Sequence, residues 1–124
     1  MEKAKVLIVD DEPAYRDTLR LLVPYEGYEV ETASTGQEAF DIAQRFSPDV
    51  LVIDWMLQGH TDGLEVAEKL CADHPEMQVV VISGYSAASL EQRAHPSSSI
   101  QFLTKPFALG DLLQAIRKVL APTA

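Results

Sequence analysis

Cysteine is nearly missing from this sequence. Cys71 stands alone, so no disulfide forms within the chain, and that usage fits a reducing compartment. As a small apolar residue at a helix end it needs no further role. Basic residues are scarce as well: 10 Lys and Arg face 19 Asp and Glu, a formal net charge of −9. That balance excludes the basic footprint needed to bind nucleic acid and leaves basic protein surfaces and metal cations as the partners charge favours. Long apolar runs are absent too; none approaches the ~18 residues of a membrane span. Met1–Lys5 carries no apolar secretion segment, so a cytoplasmic location is expected. No linker or low-complexity tract interrupts the chain, which reads as a single domain over 1–124.

What remains is an alternation. Apolar runs at Lys5–Asp10, Asp49–Asp54 and Met77–Ser83 read as strands buried on both faces. Tyr28–Ala33 alternates in polarity, as a strand nearer a sheet edge does, and Ile100–Leu103 supplies a fifth strand. Helical periods lie between them. Pro13 suits a first helical position, with Asp11 or Glu12 as cap and Tyr15, Leu19 and Leu22 on one face; Pro24 ends that helix near Val23. Ser34 to Gln37 has capping-box spacing ahead of a stripe of Ala39, Ala43 and Phe46. Leu64, Ala67 and Leu70 mark a third helix, Ala87–Ala94 a short fourth broken by "HPSSS", and Leu112, Leu113, Ile116, Val119 and Leu120 a fifth. Strand–helix units in this order predict an α/β fold: a doubly wound, five-stranded parallel sheet with helices on both faces.

Such sheets bind ligands beyond the carboxyl ends of their strands. Those ends collect Asp10 and Asp11 after the first strand, Asp54 after the third, Ser83 on the fourth and Lys105 after the fifth. Each alone has a plain structural reading, as a cap, a turn residue or a surface charge. Together they describe one chemistry. Three close carboxylates repel unless a cation enters, and an all-oxygen set suits Mg²⁺. A carboxylate beside that metal can attack phosphorus, while Lys105 neutralises the phosphoryl oxygens and Ser83 donates a hydrogen bond to one.

The segments "VLIVDDEP", "DVLVID", "VVVISGYS" and "FLTKPF", taken in order, closely resemble the receiver domain of bacterial two-component response regulators, over nearly the whole chain. The resemblance implies a flavodoxin-like strand order 2-1-3-4-5. It implies that Asp54 is the phosphoacceptor and that Asp10, Asp11, Asp54 and the backbone carbonyl of Met56 hold Mg²⁺. Ser83 and Lys105 then contact the phosphoryl group, and the Lys105–Pro106 bond is cis. It also implies a switch in which Ser83 and the aromatic Phe102 move together; lacking a hydroxyl, Phe102 switches by packing alone. Trp55 packs beside Asp54, where its fluorescence reports Mg²⁺. The implied partners are a sensor histidine kinase or a histidine phosphotransfer protein and a possible downstream output domain or protein. The expected state is a monomer or a weak, phosphorylation-dependent dimer.

Three features depart from the family's pattern. Gln58 stands where proline is usual and Gly63 falls one residue late, so the loop after Asp54 carries an insertion. "AHPSSSIQ" replaces the usual end of the fourth helix, which shortens it or makes it irregular. Pro24 curtails the first helix, a docking element in the family. His60, His74 and His95 fall in separate loops without ligand spacing, and His60 lies nearest the active edge. Rival readings fail on particular residues. A haloacid-dehalogenase-type phosphatase needs an acid at Met56, and a flavin domain needs a phosphate loop where "DDEP" is repulsive. The leading expectation is a signalling module rather than a turnover enzyme, with a receiver that binds without phosphorylation as the remaining alternative.

Overall fold

A computed structural model describes residues 3–57, 61–83 and 100–120. Five strands form one parallel sheet: β1 (Lys5–Val9), β2 (Glu29–Ala33), β3 (Val50–Asp54), β4 (Gln78–Ser83) and β5 (Ile100–Thr104). Their spatial order is β2-β1-β3-β4-β5, as expected. The alternating strand β2 is indeed an edge, where its solvent side meets water. The central strands β1, β3 and β4 are apolar at almost every position because both faces of the sheet are covered.

Strand alternation divides the interior into two layers. On one face Leu7, Val9, Leu51, Ile53, Val79 and Val81 pack with Ala39, Ile42 and Ala43 of α2 (Gly36–Phe46) and Leu64, Ala67 and Leu70 of α3 (Gly63–Asp73). On the other, Val6, Ile8, Val50, Val52, Val80 and Ile82 meet Leu19 of α1 (Pro13–Leu22) and Leu112, Leu113 and Ile116 of α4 (Leu109–Leu120). Burying each Val, Leu or Ile side chain among these is worth about 1.5–3 kcal/mol, so the continuous apolar strands hold the domain together from both sides.

Local details correct several expectations. Helix α1 ends at Leu22, and Pro24 sits in a 3₁₀ turn over Val23–Glu26 closed by Gly27 at φ 92°. Leu22 is therefore exposed, and Val23 takes the buried position instead. Neither Asp11 nor the Glu12 side chain caps α1; Asp10 Oδ1 accepts from the Glu12 amide at 2.8 Å. The capping box of α2 is shifted by one residue. Thr35 is the N-cap and its Oγ1 accepts from Glu38 N at 3.1 Å, while the Glu38 carboxylate accepts from Ser34 N at 3.2 Å. Glu38 rather than Gln37 reaches back because it stands three residues after the Thr35 cap. After Asp54 the chain forms a two-stranded antiparallel hairpin, Met56–Leu57 with Thr61–Asp62, where only a loop was expected. Asp62 then caps α3 by accepting from Leu64 N at 2.8 Å. Four α-helices stand among the described residues; the helix predicted over 87–94 lies outside them.

Candidate functional site

Sheet register decides which side chains meet. Val9 pairs with Ile53, and Asp54 with Ile82, so Asp10, Asp54 and Ser83 leave neighbouring strands at one edge. Ser83 pairs with Thr104, and its carbonyl accepts from Lys105 N at 2.7 Å. That bond sets Lys105 beside the ends of β3 and β4, and the Lys105–Pro106 peptide is cis.

Carboxylate oxygens of Asp10, Asp11 and Asp54 lie within 4.8 Å of one another. Asp10 and Asp54 are buried, at 1% and 7% exposure. Lys105 is not a snorkelling surface charge: its side chain is only 13% exposed. Its Nζ donates to Asp54 Oδ2 at 3.0 Å and to Glu12 Oε1 at 3.4 Å, and pairs with Asp10 Oδ2 at 3.4 Å. Burial by itself favours a neutral lysine, yet the bond to Asp54 and the charges of Asp10 and Glu12 outweigh it. Lys105 is thereby held above its ordinary value and remains an ammonium ion. Burial raises the Asp10 carboxyl; the Glu12 amide and Lys105 oppose that rise, and the charge of Asp54 adds to it.

The donor set fits a divalent cation of the hard class. Three carboxylates converge on one point, and Asp10 Oδ2 is buried without a hydrogen bond, an oxygen whose desolvation nothing offsets fully. Oxygen ligands of this kind suit Mg²⁺, which uses one or two carboxylates and keeps several waters.

Other expected residues fall around this centre. Met56 opens the hairpin two residues after Asp54. Trp55 is half-buried, its amide donating to Ile82 O at 2.8 Å. Phe102, on β5, is partly buried against the layer shared with α2 and α3. His74 ends α3 at the opposite edge, in an open cleft of about 430 Å³ with Ser47, Asp49 and Met77, and takes no part. Gln58, His60 and His95 lie outside the described residues.

Three residues make contacts at the site that sequence reasoning did not assign to them. Glu12 and Tyr15 both reach Lys105, the Tyr15 ring centroid lying 4.5 Å from Nζ. Gly63 presses against the backbone beneath the site: its amide donates to Trp55 O at 2.6 Å, and a Cβ there would lie 2.0 Å from the Asp54 carbonyl oxygen. Its place in the family's pattern after Asp54 was the signal that singled it out.

Fold and site together first define a class: a flavodoxin-like domain whose carboxylates and lysine gather at the carboxyl edge of its sheet. Residues 6–117 match the response regulator receiver domain, and the chain belongs to that family, the signal-receiving module of two-component systems. The response regulator MprA of Mycobacterium leprae is 36% identical over 119 residues, 96% of this chain and 52% of that protein. Its counterpart in Mycobacterium avium is 35% identical over 119 residues, with the same shares covered. The chain thus spans about half the length of the curated relatives it matches. Among solved structures, the chemotaxis protein CheY4 of Vibrio cholerae is similar with a TM-score of 0.87 and 28% identity, covering 95% of this chain and 99% of that one. The response regulator TrrA of Thermotoga maritima, solved in complex with Mg²⁺–BeF, is 28% identical with a TM-score of 0.78, covering 94% of this chain and 99% of that one. Among the described residues no helix is long and apolar enough to cross a membrane.

Proposed function

We propose that residues 1–124 act as one phosphoacceptor domain in a two-component phosphorelay, with Asp54 as the phosphorylated residue. The observation that carries the reading is the convergence of three carboxylates within 4.8 Å with an ammonium 3.0 Å from Asp54. Asp10, Asp11, Asp54 and the Met56 carbonyl would hold Mg²⁺, which supplies Lewis-acid polarisation of a phosphoryl oxygen. An Asp54 carboxylate oxygen attacks the phosphorus of a phosphohistidine on a sensor kinase or phosphotransfer protein. The new O–P bond forms as the P–N bond breaks, and the imidazole keeps the electron pair and takes a proton. Lys105 balances the charge of the transferred group, and the Ser83 hydroxyl donates to one of its oxygens. Water later returns the aspartate and releases inorganic phosphate, so the domain signals rather than turning over a substrate. In the phosphorylated state Ser83 moves toward the phosphate and Phe102 packs inward, altering the surface offered to an output partner. The acidic charge speaks against nucleic-acid binding by this domain itself, and a cytoplasmic setting suits these partners.

Incubation with Mg²⁺ and acetyl phosphate, followed by intact-mass measurement, tests this. The expected product carries one phosphate, and it is absent without metal and in Asp54→Asn. A wild-type chain left unmodified by both acetyl phosphate and a phosphorylated cognate kinase would overturn the reading and favour a receiver that acts without phosphorylation.

A further inference from the structure

The first turn of α1 does more than follow the acidic pair. Tyr15 lays its ring 4.5 Å from Lys105 Nζ. The same ring stacks on Phe107 at 5.5 Å between centroids and 27° between planes. Phe107 follows Lys105 by two residues across the cis Lys105–Pro106 bond, so the ammonium and the ring that backs Tyr15 belong to one short segment. The Lys105 side chain is 13% exposed, and a cation over an aromatic face gains most where water is excluded.

We propose that Tyr15 is a positioning residue for Lys105: its ring, buttressed by Phe107, fixes the ammonium at the angle from which it meets the group transferred to Asp54. This rests on the phosphoacceptor reading above. Without the ring, a side chain with four rotatable bonds is left to three carboxylates, and Asp10 and Glu12, each 3.4 Å from Nζ, compete with Asp54 at 3.0 Å. Carboxylate contacts pull Lys105 in several directions, whereas the ring restrains it without consuming a hydrogen bond. Its three N–H donors stay available for oxygens. Tyr15 thus acts on the rate at which charge on the incoming phosphoryl group is met, and leaves the metal ligands alone.

The test compares wild type with Tyr15→Phe, Tyr15→Leu and a ring-fluorinated phenylalanine at position 15, which keeps the volume while weakening the ring face. Three quantities are measured: the rate of phosphorylation by acetyl phosphate at saturating Mg²⁺, Mg²⁺ affinity from Trp55 fluorescence, and the ring-current displacement of the Lys105 ε-methylene protons by NMR. Tyr15→Phe is expected to keep the wild-type rate within about twofold and to keep the ring-current displacement. Tyr15→Leu and the fluorinated ring are expected to slow phosphorylation by about three- to tenfold, the range a cation–π contact supports, with Mg²⁺ affinity unchanged. Wild-type rates in Tyr15→Leu, or an equal loss in Tyr15→Phe, overturn the positioning role while leaving Asp54 as acceptor. A fluorinated variant as fast as wild type overturns it even if Tyr15→Leu folds poorly. If wild type accepts no phosphate, the acceptor reading itself fails and this role falls with it.

Discussion

Replacing Gly63 by alanine sets two ordinary effects against each other with opposite signs. Gly63 opens α3, and alanine is the better helix former by up to about 1 kcal/mol, so propensity alone predicts a more stable protein. Packing predicts the reverse. The added methyl would stand 2.0 Å from the Asp54 carbonyl oxygen, 2.9 Å from its carbon and 3.0 Å from Trp55 Cα. All three are backbone atoms of the segment leaving β3, so no side-chain rotation relieves the clash. Overpacking a tight site costs about 1–3 kcal/mol when neighbours adjust, and here the adjustment must come from the strand end that carries Asp54. Because only backbone can give way, the cost falls at the top of that range; less the propensity gain, a net loss of about 2–3 kcal/mol is expected, which for a domain of this size lowers Tm by about 8–12 °C. Thermal unfolding with and without Mg²⁺ measures it, and Mg²⁺ affinity should weaken alongside because the Asp54 backbone is displaced. Gly110→Ala serves as the matched control, since nothing lies within 4 Å of its added methyl in α4; it should raise stability by about 0.5–1 kcal/mol. If Gly63→Ala melts at or above the wild-type temperature and binds Mg²⁺ as before, the close approach beneath Asp54 is wrong.

Other variants probe the electrostatics and the caps. Asp10→Asn removes one of three crowded carboxylates, so it should raise the Tm of the metal-free protein at neutral pH while abolishing Mg²⁺ binding; a lowered Tm would contradict repulsion among the three. Burial raises the Asp10 carboxyl above 3.8, so the folded state holds a proton that the unfolded chain has already released. Metal-free stability through this group is therefore present below pH 3.8 and declines as pH rises toward the raised value, whereas Mg²⁺ binding, which needs the ionised form, strengthens over the same interval. Titrations of both with pH in wild type and Asp10→Asn should show these opposed slopes only in wild type. Glu12→Gln removes an exposed competitor for Lys105 and should speed acetyl phosphate labelling by about twofold, in line with the small worth of exposed ion pairs; slower labelling would assign Glu12 a supporting role instead. Thr35→Ala should cost about 1 kcal/mol through the lost cap of α2, whereas Ser34→Ala should cost less, an order that equilibrium denaturation can reverse or uphold.

Much of the fold was legible because burial on both faces leaves a plain trace. Val6–Val9, Val50–Ile53 and Val79–Ile82 are apolar without alternation, and only a sheet covered on two sides explains three such runs separated by helical periods. The alternation of β2 marked its edge for the same reason. The site was legible through topology: Asp10, Asp54 and Ser83 terminate strands, and strand ends share an edge. What sequence left open depends on distances between elements rather than on periods within them. That Thr35 rather than Ser34 begins α2 turns on a backbone angle. The contacts of Glu12 and Tyr15 with Lys105 depend on how α1 leans against the segment after β5. Gly63 gained its meaning only once the chain after Asp54 was seen to fold back in a hairpin and pass beneath the strand it had just left.

Lys105 touches Glu12 across 93 residues and Asp54 across 51. In a chain made from its amino end, the three aspartates therefore leave the ribosome well before the ammonium that pairs with them. At about 5–20 residues per second, the interval between Asp54 and Lys105 is roughly 3–10 s. During it the nascent chain carries the acidic cluster without the Lys105 ammonium, on strands whose last neighbour has not yet been made. The closing strand and the residue after it thus bring two things at once, a sheet edge and the cation that pairs with Asp54.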